Sequence, residues 1–396
     1  MSAAPSEPSM PQEINVGSEA YHSIAATAED QNVIVSPLLL EATLALLYLG
    51  SDGATAEELQ GLLKLKQRFA SNAKMANYYA NELSAATGDA DTRIQLQSRL
   101  LIQGDGKAGA SIAEDFQKIA QTYFHATAEC QDLQQQEKLR QYICEHILPS
   151  VGGGKWQQLE LPQLSNQKSQ LLLLLAAQLH SKWFLPFSAY RTGLYEFHGQ
   201  DAAAAAAAPK AVPMLFDDDM FVKYAELREL DARAIELPYE HVDELAMLLI
   251  LPNQRDANAL RQLEAQLRQV DLAALQQGMK MESVQVLVPK FSIDFECSLR
   301  QAIQGLGLEH IFNSSANFKH LYPGSSLPIV DILQKLRIEL NETGSSSATS
   351  AAPATTAYKP IVISNSRQKF FRADHPFFFA IRGEQSTLFL GHVVSC

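Results

Sequence analysis

Apolar residues change their spacing near residue 170. Before it they recur mainly at helical intervals. Ser51-Asp-Gly marks a turn, and Thr55-Ala-Glu-Glu58 stands at capping-box spacing ahead of Leu59, Leu62 and Leu63. Residues 136–147 form a further amphipathic helix candidate. After residue 170 short apolar runs dominate, at 170–180, 234–237, 245–251 and 284–288, as strands buried on both faces require. Residues 258–268 interrupt them with a helix whose Leu260, Leu263 and Leu267 share one face. Residues 329–340 alternate as a long strand, and 377–381 and 388–394 read as two more. Helices first and strands later predict an α+β fold. No internal repeat interrupts this order.

Composition narrows the classes of function. The chain has 396 residues, of which 46% are hydrophobic, with a net charge of −12 and no dense run of Lys and Arg. That charge speaks against a nucleic-acid partner or an anionic membrane surface. Residues 1–13, rich in Pro, Ser and Glu, read as a disordered tail, and 14–396 as a single domain. The start has no basic, apolar leader, and the most apolar stretch, 171–177, is too short to span a bilayer. Cys130, Cys144, Cys297 and Cys396 form no CxxC pair, so a disulfide framework is not expected. The expected location is cytoplasmic, with the extracellular space as the alternative; Asn313-Ser-Ser and Asn341-Glu-Thr match the glycosylation pattern. Seven alanines at 202–208 read as a surface insertion after Asp201.

No catalytic motif accompanies this frame. There is no GxSxG and no HExxH, and the glycines of Gly104-Asp-Gly-Lys107 and Gly152-Gly-Gly-Lys155 lack the rest of a phosphate-binding loop. The histidines show no metal-ligand spacing, and His180, on an apolar run, reads as a core residue. The expectation is a protein that is not an enzyme, with no cofactor and no metal; an α/β hydrolase has no motif behind it.

One segment is unusual. Residues 343–358 read Thr-Gly-Ser-Ser-Ser-Ala-Thr-Ser-Ala-Ala-Pro-Ala-Thr-Thr-Ala-Tyr, without a charge and almost without bulk. Composition alone suggests a flexible linker. Yet the remainder of the chain, up to Cys396, holds two short strand candidates, too little for a second core, so the segment is a long loop within one domain. A strand entering the middle of a sheet must avoid burying charge, and Ser345, Ser347, Thr349 and Ala351 alternate on one face without that cost. Gly344 supplies backbone freedom for a hinge.

Motifs in sequence order then carry a resemblance. Asn32-Val-Ile-Val-Ser-Pro37, Leu49-Gly-Ser-Asp-Gly-Ala-Thr-Ala-Glu-Glu-Leu59, Lys182-Trp183 and Pro186-Phe187 come first. Val212-Pro-Met214, Glu236-Leu-Pro-Tyr239, Leu251-Pro-Asn253 and Val288-Pro-Lys-Phe291 come next, then Asp374-His-Pro-Phe-Phe-Phe379 and Leu388-Phe-Leu-Gly-His-Val393. Past residue 14 the chain resembles a serpin, a serine protease inhibitor, of insect type. The resemblance implies a helical N-terminal half around a large central mixed β-sheet, smaller sheets, and an exposed reactive-centre loop at about 344–363. It implies a suicide inhibitor: a protease cuts the bait bond, the cut loop inserts into the main sheet, and the acyl-enzyme is trapped.

The same resemblance assigns residues. Glu342-Thr-Gly344 matches the hinge, which continues through Ser345, Ser347 and Thr349. The family spacing places the bait bond at Tyr358–Lys359. Tyr358 suits a chymotrypsin-like pocket; Lys359 suits a trypsin-like one but precedes Pro360, and a shifted register reaches Arg367. Lys290 is expected to pair with Glu342. Ser36, Leu39, Leu175 and Gln334 fall at the shutter under the sheet. There the family usually carries Ser and Asn in place of the two leucines and commonly His in place of Gln334, so an apolar shutter is expected. Pro353 would remove a ladder hydrogen bond from an inserting strand. The partner implied is a serine protease, chymotrypsin-like before trypsin-like, taken by a monomer able to polymerise by loop–sheet exchange. A non-inhibitory serpin with a binding, chaperone-like or storage role is the second reading.

Overall fold

The computed structural model describes residues 15–28, 30–87, 93–103, 111–152, 159–162, 170–199, 209–240, 245–256, 258–324, 326–345 and 368–396. The tail expected at 1–13, the alanine run and residues 346–367 lie outside them.

A buried helix organises the interior. Pro37–Gly50 is apolar nearly all round, and such a helix is stable only when covered on every side. Pro37 stands at its first turn and the Ser36 hydroxyl accepts from Leu39 N, so part of its start is satisfied locally. It packs against helices Val16–Ala25, Asn72–Thr87 and Glu114–Phe124 and against strand Thr387–Val393.

Two sheets flank this core. The larger runs in the order Val33–Val35, Thr387–Val393, Phe377–Arg382, Ala246–Pro252, Ala232–Pro238, Lys210–Leu227, Lys280–Pro289 and Lys369–Arg372, with Gly193–Phe197 also pairing to 210–227. Strands Phe377–Arg382 and Ala246–Pro252 are buried along their whole length, which explains their uninterrupted apolar sequences. The second sheet has the order Phe291–Ser298, Ile329–Leu340, Gly344–Ser345, Gln170–Lys182, Arg93–Gln103 and Ala126–Cys130. Its strand Gln170–Lys182 is covered on both faces. Leu171, Leu173, Leu175, Ala177 and Leu179 join the main core. Leu172, Leu174 and Ala176 meet Leu139, Ile143 and Ile147 of the helix outside.

Three readings from sequence are corrected. Thr55 and Glu58 do not form a capping box: the helix begins at Gly53 behind Asp52. Both side chains are used in tertiary docking instead. Thr55 Oγ1 accepts from Asn317 N at 3.0 Å, and Glu58 accepts from His310 N at 2.9 Å. The 136–147 helix is α-helical over Gln136–Tyr142 and then widens to a π turn at Ile143–Ile147. The N-terminal half also holds the long strand Arg93–Gln103, whose polar alternation concealed it. Of the two glycosylation patterns, Asn313 is exposed, whereas Asn341 is 3% exposed and its Oδ1 accepts from Thr343 N and Gly344 N. A glycan does not fit Asn341 in this fold.

Candidate functional site: the seam of the central sheet

Strands Gln170–Lys182 and Ile329–Leu340 run parallel and pair directly from Asp331↔Leu172 to Arg337↔Gln178. Above that level they diverge, and Gly344 and Ser345 occupy the gap. Ser345 sits opposite Leu340 on one side and Ser181 on the other, with Gly344 opposite Lys182, antiparallel to both. The chain thus turns back after Leu340 and enters the top of its own sheet by two residues. Between two parallel strands an intruding strand of this direction makes antiparallel ladders on both sides.

The bridge needs glycine. Gly344 has φ 151°, and a Cβ there would lie 2.0 Å from Ser181 O and 2.6 Å from Lys182 Cα. Trp183 N donates to Thr343 O at 2.8 Å, and Asn341 N to Gly344 O at 2.9 Å. Beneath it, the Trp183 and Tyr239 rings stack at 4.5 Å, and the Tyr239 hydroxyl lies 2.8 Å from Ser345 Oγ. Ser345 is wholly buried, which suits a side chain this small.

Glu342 anchors the turn. Lys290 Nζ lies 3.0 and 2.9 Å from its two carboxylate oxygens, and Thr192 Oγ1 donates to it at 2.9 Å. Its own carbonyl accepts from Phe187 N at 2.9 Å. Burial works against the charged form, but the hydrogen bonds from Lys290 and Thr192 outweigh it and hold the carboxyl below its usual value. The residues expected at the hinge therefore meet in space as far as Ser345. Ser347, Thr349, Tyr358 and Lys359 lie outside the described residues.

Midway down the seam the shutter residues also meet, with a different chemistry from the one expected. Gln334 is wholly buried, and its side chain closes a two-membered contact with one backbone unit: Oε1 accepts from Ser36 N at 2.8 Å and Nε2 donates to Ser36 O at 3.1 Å. Thr43 Oγ1 donates to Leu39 O at 2.8 Å and lies 3.4 Å from Ser98 Oγ. Leu175 stands opposite both Gln334 and Ser98. The cluster is not apolar: the two leucines fill space while Gln334 satisfies the backbone at the helix start.

The closed seam carries an imperfection that the sequence did not disclose. Gln178 and Arg337 are direct partners across it, yet Gln178 Oε1 and Arg337 Nε are both buried without a hydrogen bond among the described residues. Ser181 Oγ, opposite Ser345 in the bridge, is in the same state. Each such group costs about 1–3 kcal/mol. Their only trace in sequence is the polar Gln178 and Ser181 at the end of an apolar run.

Comparisons with known proteins settle what this arrangement belongs to. The family model described as serpin, serine protease inhibitor, matches residues 12–396. The chain is a serpin. Curated relatives include Antichymotrypsin-2 of Bombyx mori, 25% identical over 379 residues and 95% of each chain. Serine protease inhibitor 42Dd of Drosophila melanogaster is 26% identical over 380 residues, again covering 95% of each. Among solved structures, Serpin48, described as a highly specific serpin of the insect Tenebrio molitor, superposes with a TM-score of 0.80 at 26% identity and covers 98% of each chain. Human thyroxine-binding globulin, at 20% identity and a TM-score of 0.79, shows the same fold. The α+β serpin fold and the insect affinity expected from the motifs are both found, and the family's targets are serine proteases. Among the described residues no helix is long and apolar enough to cross a membrane, and no cluster of His, Cys, Asp and Glu is suited to a metal.

Proposed function

We propose that this serpin is a suicide inhibitor of a chymotrypsin-like serine protease, with Tyr358–Lys359 as its bait bond. The observation that carries the reading is the Gly344–Ser345 bridge, a strand already started between two parallel neighbours. Its register supports continuation. Carried downward without a bulge from Leu340↔Ser345, the ladder with Ile329–Leu340 brings residue 351 opposite Gln334. Carried from Ser345↔Ser181, the other ladder brings residue 351 opposite Leu175. Gln334 and Leu175 are already partners, so the two ladders agree. The inward-facing positions then hold Ser347, Thr349, Ala351, Pro353 and Thr355, and none carries a charge into the core.

In this mechanism the protease serine attacks the Tyr358 carbonyl, the Tyr358–Lys359 bond breaks, Lys359 leaves as a free amine, and an acyl ester joins the two proteins. The released loop then fills the seam as a strand reaching the level of Ile329, about a dozen residues. At a net ~0.5–1.5 kcal/mol per hydrogen bond this is on the order of 10 kcal/mol, comparable to a domain's whole stability. The protease is dragged along, and its disturbed oxyanion hole stalls hydrolysis of the ester. The Antichymotrypsin-2 relative supports the chymotrypsin-like assignment, as does the aromatic Tyr358.

One observation favours the second reading, a non-inhibitory serpin with a binding, chaperone-like or storage role that a protease cuts without being trapped. The same register sets Pro353 opposite Leu173, about two thirds of the way down the would-be strand. Mixing the protein with chymotrypsin and running a denaturing gel separates the two. A covalent band at the summed mass supports the inhibitor; complete cleavage near Tyr358 without that band supports the second reading.

A further inference from the structure

The seam between Gln170–Lys182 and Ile329–Leu340 has a fastening besides its own ladder. Helix Gln136–Tyr142 and its π continuation pack on Leu172, Leu174 and Ala176, on one side of the seam. Strand Phe291–Ser298 lies on the other side, beyond Ile329–Leu340. Residues 159–162 are held from both. Leu159 O accepts from Arg140 Nε of the helix at 3.0 Å, and Glu160 N donates to Glu296 Oε1 of the strand at 2.7 Å. That carbonyl and that N–H belong to one amide. Gln136 Nε2 adds a second bond from the helix, to Pro162 O at 3.2 Å.

The surrounding side chains leave these two groups free to act. Arg140 stands in the last turn of its helix, and its Nη1 donates to Glu137 Oε1 at 2.6 Å, so the guanidinium is steadied while Nε points at the segment. Glu296 is directly opposite Lys335, whose Nζ lies 3.2 Å from Glu296 Oε2 and 3.0 Å from Asp294 Oδ1. Lys335 thus engages one oxygen of Glu296 and leaves the other for the amide. Both bonds to the amide are charge-assisted, the stronger class. Leu159 is 2% exposed and shares an apolar cluster with Leu174 and Leu333, which are partners across the seam. The clamped amide therefore sits over the line along which the two strands would part.

We propose that this amide is a strap across the seam. One side must let go before Gln170–Lys182 and Ile329–Leu340 separate, so the clamp sets how readily the sheet opens. Its part in trapping a protease rests on the insertion mechanism proposed above; its hold on the intact sheet does not.

The test reads amide hydrogen exchange of the intact full chain by mass spectrometry, on peptides covering 171–178 and 331–337. Glu296→Ala removes the hold on the strand side and leaves Lys335 its bond to Asp294. Arg140→Met together with Gln136→Met removes the hold on the helix side. Each should speed exchange at the seam about tenfold or more, while strand Ala246–Pro252 of the larger sheet exchanges as before. Because either loss frees the strap, combining all three substitutions should add little to the faster of the two. Glu296→Gln keeps an acceptor for Glu160 N and should exchange nearly as slowly as the parent. Melting curves check that every variant folds. Unchanged exchange at the seam in folded Glu296→Ala would overturn the proposal, as would fully additive effects of the two sides. Equal acceleration in Glu296→Gln and Glu296→Ala would assign the effect to the ion pair with Lys335 and overturn it as well. The experiment needs no protease, so a missing covalent band would count against the inhibitor, and an unaltered seam against the strap.

Discussion

Pro353→Ala isolates the step at which trapping and simple cleavage part company. The Trp183 N to Thr343 O bond at 2.8 Å marks a hydrogen-bonded pair, and such pairs recur every second residue in an antiparallel ladder. Counting down, they fall at 345/181, 347/179, 349/177, 351/175 and 353/173, so the Leu173 carbonyl would face the nitrogen of residue 353. Proline has no hydrogen there, and the carbonyl would be buried without a donor at a cost of about 1–3 kcal/mol. The obstacle lies about 26 Å below the bridge, and Tyr358 about 17 Å beyond it at a strand rise of ~3.3 Å per residue. Expressed in the rate of passing that level, the cost is about 5- to 150-fold, during which the ester can be hydrolysed. The assay titrates a fixed amount of chymotrypsin with the protein and reads the molecules consumed per protease inactivated. Pro353→Ala should bring that ratio down toward one and raise the melting temperature of the cleaved protein. An unchanged ratio together with an unchanged melting temperature would refute the register and the reasoning built on it.

Gly344→Val should expel the bridge, because its side chain would overlap Ser181 O; cleavage by chymotrypsin should continue while the covalent band on a denaturing gel falls several-fold. Gln334→Leu should destabilise the intact protein by about 1–3 kcal/mol in urea unfolding, since the buried Ser36 N–H loses its partner while the Ser36 carbonyl keeps only its bond from Leu40 N. Gln178→Met should do the reverse, removing an unsatisfied oxygen and stabilising the closed sheet by about 1 kcal/mol or more, read as a higher melting temperature of the intact form with slower trapping. For Glu342 the folded pKa is depressed below its ordinary 4.5, so its contribution is present above that value and is lost as pH falls through the folded one. The protection of the Gly344 and Ser345 amides against hydrogen exchange, relative to an unstructured peptide at the same pH, should therefore fall below pH 4.5, and Glu342→Gln should abolish that step.

Much of this architecture was legible because burial on both faces leaves an unmistakable pattern. Strand Gln170–Lys182 shows as a near-continuous apolar run, and Leu260, Leu263 and Leu267 mark their helix, which spans Ala259–Leu267. Strand Arg93–Gln103 did not show, because Gln95, Gln97, Ser98 and Arg99 break up its apolar positions. Thr55 and Glu58 misled for a related reason: the spacing of a capping box is local, but their partners, Asn317 and His310, are more than 250 residues away. At the seam, Gly344 stood out as the glycine that opens a charge-free segment, and Glu342 through the resemblance of Glu342-Thr-Gly344 to the serpin hinge. Leu39 and Leu175 were also legible as departures from the residues that the resemblance implied there. What spacing could not disclose was that the Gln334 amide would reach the Ser36 backbone and keep the site satisfied.

The most direct test of the account is the structure of the chymotrypsin-cleaved protein. It should show the severed loop as a full strand with Ala351 lying between Gln334 and Leu175, and those two residues no longer paired. If Gln334 still faces Leu175 after the cut, with the loop outside the sheet, the central claim is contradicted.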